Sequence, residues 1–102
     1  MENEGHLQMR LTKVGPNKVQ SDQGFVFSMP TPFQLHYVEG DHEVIIPGEL
    51  LTGRTELLVS GSTIREWLKP RDANGINEED RKRIIANVAA ALEVLGIRYE
   101  FD

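Results

Sequence analysis

Residues 39–43 read Glu-Gly-Asp-His-Glu, so Glu39, Asp41, His42 and Glu43 set three carboxylates and an imidazole within five positions. Such groups at close spacing are the raw material of a metal site or an acid–base pair. His36 lies just upstream, and His6 completes the chain's three histidines. A metal needs at least three converging ligands, so the backbone carrying these side chains decides the question. Phe33, Leu35 and Tyr37 alternate with Gln34 and His36, and Val44 to Ile46 resume the apolar run after Gly40-Asp41. Gly-X between two β-rich runs predicts a hairpin with a two-residue type II′ turn. In that register Glu39 faces His42, Tyr37 faces Val44 and Leu35 faces Ile46, all on one side of the sheet. Glu43 leaves from the other side and Asp41 sits at the apex. The four polar groups then diverge, leaving at most a Glu39–His42 cross-strand pair worth roughly 0.2–1 kcal/mol. The stretch reads as a hairpin tip, with Glu39, Asp41, His42 and Glu43 as candidate contacts for a partner protein.

Other catalytic arrangements fail on spacing. Ser21, Ser28, Ser60 and Ser62 are the serines, and none lies in a Gly-x-Ser-x-Gly frame. Residues 72–80 look superficially like a calcium loop, but Gly75 follows Asp72 by three positions where an EF-hand requires five. Residues 48–54, GELLTGR, lack the Lys-Ser/Thr pair of a phosphate loop. Glu78 and Glu79 are consecutive on an expected helix and point about 100° apart. A small metal-dependent enzyme using His36, His42 and nearby acids survives only as an alternative to a binding protein.

The 102 residues predict one domain, residues 1–102. With no cysteine, disulfides and thiolate zinc sites are excluded. A net charge of −5 argues against a nucleic-acid ligand and favours encounter with basic partners. The longest apolar run, Val88 to Leu92, is far short of a membrane span, and the polar amino terminus shows no secretory signal. A cytoplasmic location is expected.

The front half reads as β. Leu7, Met9 and Leu11 alternate with polar residues, Gly15 to Gly24 is a polar loop, and Phe25 to Met29 is β-rich until Pro30 and Pro32. Glu56 to Ser60 is a further β run. Ile64, Trp67 and Leu68 then fall at helical spacing, with Thr63 and Glu66 at the interval of a capping box. A helical turn over 62–68 that tucks Trp67 against the sheet is expected, with a strand as the alternative. Asn77 caps a helix over about 78–95, with Glu78, Glu79 and Asp80 where its dipole favours negative charge. Ile84, Ile85, Val88, Leu92 and Leu95 form its apolar stripe, and Gly96 ends it. Acids 78–80 and bases 81–83 can pair at i,i+3 or i,i+4. Ile97, Tyr99 and Phe101 alternate in a last strand, 97–101. An α+β fold follows: an antiparallel sheet of short strands covered on one face by the carboxyl-terminal helix.

The order of landmarks carries a resemblance. An acidic hairpin leads into IIPGELL, then a β run, then GSTIREWLKP and INEEDRKRIIANVAAALEVLGIRYEFD. From Phe33 to Phe101 this resembles a small immunity protein family of bacterial polymorphic toxin systems, on Ile64, Trp67, Pro70, Arg81, Ile84, Asn87, Ala91, Leu92 and Gly96. The residues to Met29 are not covered. The resemblance implies a protein that neutralises a cognate toxin domain by stoichiometric binding, with no catalytic residue, no metal and no cofactor. A nuclease toxin, with its basic substrate groove, would suit an acidic inhibitor. The rival reading among binders is an accessory or regulatory subunit of another assembly. No oligomeric state is favoured.

Overall fold

The computed structural model describes residues 10–102. The expected strand positions Leu7 and Met9, and His6, lie outside the described residues. Seven strands run in chain order across a single sheet: β1 (Leu11–Gly15), β2 (Lys18–Ser21), β3 (Phe25–Thr31), β4 (Gln34–Glu39), β5 (His42–Leu50), β6 (Leu57–Val59) and β7 (Tyr99–Phe101). Helix α1 (Glu78–Val94) connects β6 to β7. The first six strands pair antiparallel. β7 joins β6 in parallel, which the expected all-antiparallel sheet did not include. A parallel pair needs a long crossover, and α1 supplies it.

Alternation along β3, β4 and β5 sends Phe25, Phe27, Met29, Leu35, Tyr37, Val44 and Ile46 to one face, where they are buried. Ile84, Val88, Ala91 and Leu92 of α1 close over them, and the sheet curls until β1 also touches the helix. Each fully buried side chain of this size stabilises by roughly 1.5–3 kcal/mol relative to exposure. Phe25 stacks on Tyr37 at 5.4 Å between ring centroids.

Helix α1 begins and ends as expected. The Asn77 side chain accepts a hydrogen bond from the Asp80 amide at 2.7 Å. At the other end Gly96 takes φ 74°, and the amides of Gly96 and Ile97 donate to the carbonyls of Glu93 and Leu92. That pair of bonds is a Schellman motif.

Two expectations about local structure are corrected. The polar loop Gly15–Gly24 contains β2. Val19 is its only apolar residue and is fully buried. The next inward position is Ser21, which satisfies its hydroxyl locally by accepting from the Gln23 amide at 2.8 Å. One inward residue out of two being polar hid the strand's period. The helical turn over 62–68 is instead a 3₁₀ turn at Gly61–Thr63, followed by irregular chain. Thr63 does not cap a helix there; its hydroxyl donates to the Ser60 carbonyl. Leu68 and Lys69 lie extended against β5, their amides donating to the Glu43 carbonyl at 2.6 and 3.2 Å. Leu68 is consequently exposed, and only Ile64 and, partly, Trp67 reach the core.

Gly48 permits the closest backbone approach in this sheet. A Cβ there would stand 2.5 Å from the Pro32 carbonyl and 2.8 Å from the Leu35 side chain. Gly48→Ala should therefore push β5 from the β3–β4 hairpin and cost about 2 kcal/mol, or about 10 °C in Tm by calorimetry.

Candidate functional site

The β4–β5 hairpin has the register its turn implies. Glu39 pairs with His42, Tyr37 with Val44 and Leu35 with Ile46, and Gly40 takes φ 62° at the first turn position. The four polar side chains at its tip go to separate destinations. Glu39 makes a two-point ion pair with Arg83 of α1, at 3.2 and 2.8 Å, and accepts the Tyr37 hydroxyl at 2.6 Å. His42, although opposite Glu39 in the ladder, meets Asp41 through Nδ1 at 2.9 Å and packs edge-on to Trp67, ring centroids 4.9 Å apart. Glu43 leaves from the other face, 4.0 Å from the Lys69 ammonium. Asp41 is 86% exposed at the apex.

His36 also leaves the face opposite the helix, because it alternates with the buried Leu35 and Tyr37. Its Nε2 is buried without a hydrogen-bond partner among the described residues. His36 and His42 thus belong to opposite faces of the sheet. Among the described residues, no group of three or more histidine or carboxylate side chains is placed to hold a metal ion.

The arrangement that does converge was not anticipated. Tyr37 is fully buried, yet its hydroxyl reaches the edge of the core. There it donates to Glu39 and accepts from the Asn87 amide at 2.9 Å. Arg83 extends the chain of bonds from Glu39 to Asp80 at 2.9 Å. Four side chains from β4 and α1 thus tie the helix across the hairpin. The signal in the sequence was Asn87, one polar residue between Ile84, Val88 and Ala91 on the buried stripe. Its partner was not readable, because Tyr37 and Asn87 are brought together only by the docking of α1.

The electrostatics follow from these bonds. Arg83 is held in its charged form, above its ordinary pKa, first by hydrogen bonding to Glu39. The bond from Arg81 holds Glu78 below the usual carboxylate range, and this pair, like Arg83–Asp80, has the i,i+3 spacing expected of the 78–83 segment. The neighbouring β2–β3 turn lies alongside, with Gly40 N–H donating to the Gly24 carbonyl. Asp41, apart from its contact with His42, stands in solvent on a bend whose base is braced by Glu39 and Arg83.

Burial, and then the hydrogen bond to Glu39, raise the Tyr37 hydroxyl well above the ordinary tyrosine pKa of about 10. The folded chain holds this proton more tightly than the unfolded chain. The resulting stability is complete below pH ~10 and is lost as pH rises beyond it. Tyr37→Phe should cost about 1–2 kcal/mol at neutral pH by urea unfolding, since it leaves the Asn87 amide without its acceptor. The same variant should show a shallower fall in unfolding midpoint above pH 10 than the wild type.

Comparison with known proteins gives one match. A family model described as Immunity protein 74 matches residues 29–102. No curated protein and no solved structure matches the chain.

Proposed function

The chain belongs to the Immunity protein 74 family, and from that premise we propose that it neutralises a cognate bacterial toxin domain by direct stoichiometric binding. The family match carries this reading. The net charge of −5 supports it, since an acidic protein is drawn to the basic groove of a nuclease, the toxin class proposed here. The chain acts by occupying its partner and not by transforming a substrate. No helix among the described residues is long and apolar enough to cross a membrane, which agrees with the cytoplasm as the proposed place of action.

Glu39, Asp41, His42 and Glu43 are proposed to face the toxin. Asp41 supplies the most available charge, and Glu39 both contributes to the field and holds the tip against α1. A braced hairpin orders little on binding, so little of the contact free energy is lost to entropy. Neutralisation by a scarce inhibitor needs affinity near the nanomolar range, about −12 kcal/mol.

The test of function is to look beside this chain's gene for a large secreted protein and to co-express the chain with that protein's carboxyl-terminal domain. Restored growth and a 1:1 complex are expected; continued killing with the chain well expressed would sink the reading. For the tip, Asp41→Lys should lower the association rate several-fold at low salt, with a smaller effect at high salt and an unchanged Tm. Replacing Glu39, Asp41 and Glu43 together by lysine should slow association further. Because Glu39 also anchors Arg83 and Tyr37, only the Asp41 variant separates the charge from the stability. Stopped-flow rates identical to wild type in both variants would remove the tip from the interface.

A further inference from the structure

We infer that the free edge of β7 is a docking site for a β-strand of the partner, one that sets a lysine or arginine opposite Glu100 between apolar neighbours. This rests on the toxin-binding reading above and adds where the two proteins join. Within a strand, successive residues turn their amides to alternate sides. The Arg98 carbonyl accepts from Leu57, and the Asp102 amide donates to Val59. Together with the Leu58–Glu100 register, this turns the amides of Arg98, Glu100 and Asp102 toward β6. Tyr99 and Phe101 therefore direct their N–H and C=O groups outward. Among the described residues no strand lies beyond them.

The other edges are blunted. β1 carries a register break between Lys13 and Gly15, with Lys13 exposed and Pro16 following. A bulge, a lysine and a proline are devices that discourage strand addition. The part of β5 that outruns β6 is covered at Glu43 by Lys69, which bonds to it in both directions. β7 carries no bulge, lysine or proline; its one blunting feature is its length of three residues. It presents Tyr99 and Phe101 as an edge-to-face pair, ring centroids 5.6 Å apart, both only partly buried.

Charge selects the occupant. On the outer face Glu49, Leu58 and Glu100 stand in a row across β5, β6 and β7. Among the described residues the Glu100 carboxylate accepts one side-chain hydrogen bond, from the Thr55 hydroxyl at 3.4 Å. Among the described residues neither Glu49 nor Glu100 forms an ion pair, the nearby Arg98 being directed to Glu56 at 3.7 Å. An added strand places one residue directly beside Glu100, and a basic side chain there gains a cross-strand partner. A second copy in the fully overlapped antiparallel register, Tyr99 against Phe101, would set Glu100 against Glu100. Both copies would also carry −5.

The test is amide hydrogen exchange by NMR on the labelled chain, alone and with a catalytically inactivated variant of the toxin domain from the co-expression experiment. Tyr99 and Phe101 amides should exchange fast in the free chain and slow on the order of 100-fold in the complex, while Lys13, whose amide faces out from the β1 edge, is unchanged. Glu100→Lys should weaken binding about tenfold, mainly through faster dissociation, with the fold intact. A stable complex in which both amides exchange as fast as in the free chain would overturn the inference while leaving the toxin-binding reading standing. Protection in the free chain that grows with its concentration would overturn it in favour of a second copy. Failure to form any complex would end the toxin-binding reading and this inference with it.

Discussion

The Tyr37 hydroxyl is the point through which sheet and helix are held in register. An apolar contact between β4 and α1 would tolerate sliding by a few ångströms, because hydrophobic attraction has no direction. The bonds Asn87 to Tyr37 and Tyr37 to Glu39, with Arg83 beyond, do not. They fix the helix at one height along the hairpin and place Arg83 under the acidic tip. Satisfying this partly buried group also makes it costly to disturb, since breaking one bond leaves its partner desolvated. The tip's rigidity is thus a property of the core and not of the turn alone.

That clamp divides the acidic cluster by role. Glu39 is spent largely on Arg83 and Tyr37, Glu43 stands near Lys69, and His42 rests between Asp41 and Trp67. A short string of chemically suggestive residues is therefore distributed into separate local environments. The reason is period: in a two-residue hairpin, neighbours in sequence are sent to opposite faces or to the apex. Proximity in sequence works against convergence in a strand.

How much of this was legible follows from what each signal depended on. Gly40-Asp41 set the hairpin register because the turn is local, and all three forecast pairs are found. Asn77 and Gly96 bounded α1 because capping is also local. β2 was missed because its inward pair is Val19 and Ser21, so the apolar period never repeats. The 62–68 segment misled because Ile64, Trp67 and Leu68 have helical spacing, whereas the bonds from Leu68 and Lys69 to Glu43 draw its end against β5 and leave irregular chain between. The direction of β7 and the Tyr37–Asn87 bond required knowing how α1 crosses the sheet, which no window of sequence contains.

The candidate surfaces suit different parts of one binding event. Exposed charge such as Asp41 acts at distances up to about a Debye length, ~8 Å in physiological salt, and so governs the rate of encounter. Strand addition acts only in contact, through amides already fixed in direction by β6, and so governs how long the partners stay together. Neither requires the chain to change shape. A sheet whose first edge is interrupted by a bulge and whose last edge, among the described residues, is uncovered is also polarised, and on the inference above a strand would extend it at β7 rather than at β1. Glu100 then makes that single opening selective, since it favours a strand with a cation beside it over one that is merely apolar. In the proposed inhibitor, a directed edge with a charge filter would achieve with three residues what a large apolar patch would achieve only at the risk of indiscriminate association.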